Sequence, residues 1–109
     1  RYGASKITHQ KAYDWATKGS AALLGRSDIG EIAIGRQADL ALFKLDELRF
    51  SGSHDALAAL LLCGAQKADR VMIAGQWKVV DGKIIGKDES ELISRHSGAA
   101  KKLRQLANA

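Results

Sequence analysis

Apolar positions near the start of the chain fall at helical spacing. Ile7, Lys11, Ala12, Trp15, Ala16 and Gly19 fall near helical spacing in a helix predicted over residues 6–18, with Ser5 as its N-cap and the lysines Lys6, Lys11 and Lys18 reaching a solvated face. Gly19-Ser20 is expected to break this run, with Ser20 capping a short second helix over residues 21–24 that Gly25 closes. Trp15 should then face a core or a partner. After the polar loop Arg26-Ser27-Asp28, two glycines, Gly30 and Gly35, suit sharp reversals of the backbone. From Ala38 the chain runs through Leu40, Ala41, Leu42 and Phe43 without polar alternation, which predicts a strand ending near Leu45-Asp46 that is covered on both faces.

Residues 47–54 read as an irregular connection. Asp55 is placed to cap a helix over residues 56–63, and Gly64 to stop it. That helix is apolar nearly all round, so it is expected to be buried on most sides. From Asp69 the period becomes two. Val71-Met72-Ile73-Ala74 and Trp77-Lys78-Val79-Val80 are predicted strands joined by a tight turn at Gly75-Gln76, and Asp81-Gly82 is a strong hairpin signal before a short Lys83-Ile84-Ile85. Three short strands need a covering layer to persist in water. A last helix is predicted over residues 89–106, capped by Asp88 with Glu91 three residues on, and striped by Leu92, His96, Ala99, Leu103 and Leu106. The pattern is that of an α+β chain: helix, buried strand, helix, small antiparallel meander, helix.

Composition narrows the class. The 109 residues amount to one domain, with 46% hydrophobic and 27% charged positions. No apolar run approaches the roughly 20 residues that cross a bilayer, and the opening residues lack a signal-peptide pattern, so no membrane association is expected. A single cysteine, Cys63, cannot form an internal disulfide and favours a reducing, cytoplasmic setting. The net charge of +5 invites a nucleic-acid reading. The basic residues are scattered, however, and the densest group, Lys101, Lys102 and Arg104, has no interleaved aromatics on which bases stack, so no nucleic-acid partner is expected. The chain opens on Arg1 rather than methionine, which reads as a processed, cut or engineered piece.

Candidate chemistry is thin. His9, His54 and His96 form neither an H-x-H pair nor an H-E-x-x-H helix face, so each is read as structural, with His96 packed at a helix edge. His54-Asp55 looks like a dyad, but neighbouring side chains diverge and Asp55 already serves as a cap. Asp39 is better suited to a hydrogen bond at a turn or strand start than to a ligand. Cys63 ends an apolar helix and behaves as a small hydrophobe, without a histidine arrangement to activate it. Ser51-Gly52-Ser53 is not a nucleophile elbow, and neither Gly30 nor Gly35 leads into a phosphate-binding helix. From residue chemistry alone no active site emerges.

One resemblance changes the picture. Residues 16–25 (ATKGSAALLG), 29–40 (IGEIAIGRQADL), 69–75 (DRVMIAG) and 79–82 (VVDG) occur in the order and at the intervals of the C-terminal portion of the amidohydrolase superfamily. The second of these, continued to Phe43, follows the pattern G-x-I-x-x-G-x-x-A-D-L-x-x-F. The branch it resembles is that of the cytosine and guanine deaminases and chlorohydrolases. Residues 49–60 (RFSGSHDALAAL), with Cys63-Gly64-Ala65, are similar to the subgroup of 8-oxoguanine deaminase and hydroxydechloroatrazine ethylaminohydrolase. Those relatives often carry proline where this chain has Ala56, a residue that also fits a first helical turn.

The resemblance implies a larger protein, a (β/α)8 barrel with a β-sandwich built from both chain ends. Residues 1–28 would be the last helical element of the barrel, residues 29–87 sandwich strands with an inserted helix over 55–63, and residues 88–109 the C-terminal helix. Such enzymes use a divalent metal, zinc or iron, to form the hydroxide that attacks a ring carbon and expels ammonia or an amine. The family's H-x-H, two further histidines and metal-bound aspartate lie upstream of a segment like this one. No catalytic, cofactor-binding or metal-binding residue is therefore assigned here. What the resemblance implies is the structural C-terminal part of a metal-dependent deaminase of a purine, pyrimidine or triazine. Its partner would be the missing barrel portion, a homo-oligomer remains open, and the chain alone would be inactive. The alternative, from the residues themselves, is an autonomous α+β binding or assembly module without enzymatic activity.

Overall fold

The structure is a computed structural model, and it describes residues 6–65 and 67–108. Helix α1 spans His9–Asp14, and Thr8 caps it: the Thr8 hydroxyl oxygen accepts from the Lys11 N–H at 3.2 Å. The helix thus begins later than the predicted residue 6. The proposed cap Ser5 lies outside the described residues. The predicted break at Gly19-Ser20 does not occur. Both residues keep right-handed helical angles, and the chain passes through a π-helical turn, Trp15–Gly19, into α2, Ser20–Leu23. Ser20 does not cap α2; its hydroxyl donates back to the Trp15 carbonyl at 3.1 Å, while the Thr17 hydroxyl donates to the Tyr13 carbonyl at 2.8 Å. These side-chain bonds occupy the Tyr13 carbonyl just before the widened turn and the Trp15 carbonyl within it, so the helix survives a glycine that intrinsic preference alone disfavours.

The loop after α2 folds back onto this helix, and Gly30 sets how closely. Its φ is +91°, and a Cβ built there would lie 2.8 Å from the Ala21 Cβ and 3.1 Å from the Thr17 carbonyl oxygen. The chain then enters β1, Leu40–Leu42, the edge of a four-stranded antiparallel sheet in the order β1-β2-β3-β4, where β2 is Arg70–Ile73, β3 is Gln76–Val80 and β4 is Lys83–Ile84. Leu40 faces Met72 and Leu42 faces Arg70 across the first pair, and a register shift between Val71 and Met72 interrupts the second. The strand from Ala38 and the meander are therefore one sheet.

The first hairpin turns one residue earlier than predicted, at Ala74-Gly75, with Ala74 at φ +49°. Its position is decided from outside the hairpin. An Asp39 carboxylate oxygen accepts from the Ala74 N–H at 2.7 Å, and the Ala38 carbonyl accepts from the Gly75 N–H at 3.1 Å. The second hairpin turns at Asp81-Gly82 as predicted, with Asp81 at φ +50°, the geometry of a tight two-residue turn.

A short 3₁₀ turn, Leu48–Phe50, precedes α3, Ala56–Leu62, which Asp55 caps by accepting from the Ala58 N–H at 2.9 Å. Helix α3 packs on α1. Helix α4, Glu89–Ala107, starts as predicted at the Asp88 cap, whose carboxylate accepts from the Ser90 and Glu91 N–H groups at 2.8 and 3.3 Å.

Burial departs most from the sequence reading. Among the described residues only Ala21, Phe50 and Ala59 are buried. Strand β1, predicted to be covered on both faces, is half-buried at Leu40 and exposed at Ala41 and Leu42. Helix α3, predicted to be buried on most sides, buries Ala59 and leaves Leu62 79% exposed. Every residue of α4 is exposed, including the stripe residue His96, which was expected to pack. The radius of gyration is 18.6 Å, against about 13 Å for a compact domain of this length. Most elements form near their predicted positions, but among the described residues too few layers are present to close over them.

Candidate functional site

The three histidines lie on separate elements: His9 opens α1, His54 precedes α3 and His96 is on α4. The structure does not make a dyad of His54 and Asp55. It pairs Asp55 with His9 instead, with 3.0 Å between the imidazole Nε2 and a carboxylate oxygen. The other oxygen of Asp55 receives the Ala58 N–H, so one carboxylate both starts α3 and ties it to α1. The Ala58 backbone donor, and after it the His9 charge, hold this carboxyl below its ordinary range. Both side chains remain well exposed, 40% and 49%, so the pair is a helix-to-helix tie rather than a desolvated acid–base couple.

Charge is otherwise spent on holding loops. Glu31 sits between Lys18 of the π-helical turn, at 3.0 Å, and Arg36 of its own loop, at 2.9 Å. A hydrogen bond from Lys18 is the main influence that lowers the Glu31 carboxyl, and the same contact raises the Lys18 ammonium. Arg26 grips Asp28 through two hydrogen bonds, 2.9 and 2.6 Å, and brings that carboxyl down to about 2. Arg49 reaches from the 3₁₀ turn to the Gly64 carbonyl beyond the end of α3, at 3.1 Å, and also pairs with Glu47 at 2.6 Å. Lys44 pairs with Asp69 at 2.8 Å across the β1–β2 end of the sheet. Sequence spacing flagged none of these partners; Lys18–Glu31, Arg49–Gly64 and Lys44–Asp69 in particular join distant positions whose approach depends on the fold.

Among the described residues, no three His, Cys, Asp or Glu side chains come together in a group that could hold a metal ion. Cys63 is exposed at the end of α3, and Asp39 is engaged with the hairpin turn. No described helix is long and apolar enough to cross a membrane.

What the surface does offer is apolar side chains on ordered elements. Leu23 is 91% exposed and Leu24 follows it at the end of α2, while Ile32 and Ile34 stand out at 88% and 107% on the loop that Gly30 and Glu31 hold against the helix. Leu48, the first residue of the 3₁₀ turn, is 90% exposed. Isolated exposed leucines are ordinary, but here there are many, and among the described residues only three are buried.

Known proteins supply the context. A family model described as "Amidohydrolase family" matches residues 2–80. The chain is 68% identical to 8-oxoguanine deaminase of Pseudomonas aeruginosa over 103 residues, which are 94% of this chain and 23% of that protein. It is 34% identical to an isoxanthopterin deaminase of an unknown prokaryotic organism over 91 residues, 83% of this chain and 19% of the relative. Among solved structures, an adenosine deaminase from Xanthomonas campestris with bound zinc superposes with a TM-score of 0.82 at 29% identity, over 90% of this chain and 23% of that one. The chain thus spans under a quarter of the length of these relatives. With the family pattern running from residue 2 through the third strand of the sheet, and the fold shared with a zinc-bearing deaminase, the chain belongs to the amidohydrolase family.

Proposed function

We propose that this chain is the C-terminal structural part of a metal-dependent amidohydrolase that hydrolytically deaminates a nitrogen heterocycle, with an oxopurine of the 8-oxoguanine type as its substrate class. The observation that carries this reading is the 68% identity sustained over 94% of the chain yet over only 23% of a named 8-oxoguanine deaminase. The exposed apolar residues on α2, the following loop and α3 support it, since a segment shaped to lie against the rest of an enzyme keeps such surfaces.

On this reading the division of labour is physical. The rest of the polypeptide, as a (β/α)8 barrel, holds the divalent metal, which lowers the pKa of bound water and makes hydrolysis run near neutrality. Residues of this chain take no proton and touch no substrate. They present a sheet, braced by Asp39 and Lys44, and helices tied by His9 and Asp55, against which the barrel packs. The test is ammonia release from 8-oxoguanine with zinc supplied, comparing the complete polypeptide that carries this segment with the 109-residue chain alone. Turnover is expected from the complete polypeptide and none from the segment. Turnover by the segment refutes the structural role, and failure of the complete polypeptide on oxopurines, other purines, pyrimidines and triazines alike refutes the deaminase reading.

A further inference from the structure

We draw no further inference here: the strongest candidate, the unpartnered apolar stripe of Leu92, His96, Ala99, Leu103 and Leu106 along α4, carries nothing because nothing in the structure shows what covers it.

Discussion

Replacing Gly30 with alanine probes the closest approach between the loop and the first helix, and Gly35 serves as its control. Both glycines have positive φ, +91° and +83°, so a Cβ at either position brings backbone strain of about 1–2 kcal/mol. At Gly35 no atom lies within 4 Å of the added carbon, and the strain is the whole cost. At Gly30 the new Cβ would stand 2.8 Å from the Ala21 Cβ and 3.1 Å from the Thr17 carbonyl oxygen. Neither is the free end of a flexible side chain. The loop must lift, and overpacking of this kind adds about 1–3 kcal/mol. Lifting it also stretches the Lys18–Glu31 contact, now 3.0 Å. Gly30→Ala should therefore cost about 1–3 kcal/mol more than Gly35→Ala, from the overpacking alone. Urea unfolding followed by helical circular dichroism measures the difference as a shift in midpoint at common slope. Equal midpoints for the two variants would refute the view that Gly30 is required by proximity rather than by turn geometry.

The remaining expectations concern charge, capping and exposed surface. Asp28 has a folded pKa of about 2, below the ordinary carboxylate value of about 3.9, so its stabilisation is complete above that ordinary value and is lost as pH falls through the folded one. A proton titration of Asp28 by NMR should return to the ordinary range in Arg26→Gln; an unmoved midpoint would show that Arg26 is not the cause. For Asp55, Asp55→Ala removes both the α3 cap and the His9 tie and should cost about 1 kcal/mol, while Asp55→Asn keeps a capping oxygen and should cost only a few tenths of one. Equal losses in urea unfolding would mean that the charge, not the cap, matters. The 109-residue chain should bind a hydrophobic dye and self-associate with concentration, and Leu23→Asp with Ile34→Asp should reduce both without loss of helical signal. A cooperative, monomeric melt without dye binding would favour an autonomous module instead.

Local chemistry was legible in the amino-acid order. Asp55 and Asp88 were identifiable as caps because an N-cap needs only its own side chain and the N–H groups two or three residues on. Asp81-Gly82 was identifiable as a hairpin turn for the same reason. Asp39 was read as a hydrogen-bonding residue at a strand start, although its partner, Ala74, lies 35 residues away. The family motif, too, is a property of the order of residues, and its match over residues 2–80 bears out that reading.

Other features belong to the fold. Gly19 looked like a helix breaker, yet hydroxyls of Thr17 and Ser20 bridge the widened turn and carry the helix through. The first hairpin turn fell one residue early because the Asp39 carboxylate and the Ala38 carbonyl reach it from β1's approach, a constraint invisible inside the hairpin. His9 and Asp55 meet because α1 packs on α3, not because of any spacing between them. Burial shows the sharpest divide. The apolar faces of β1, α3 and α4 were readable from composition and period, but whether they are covered depends on how many layers the tertiary structure supplies. Among the described residues, one sheet and four helices leave them open to water, since hydrophobic pattern specifies what needs a partner and only packing provides one.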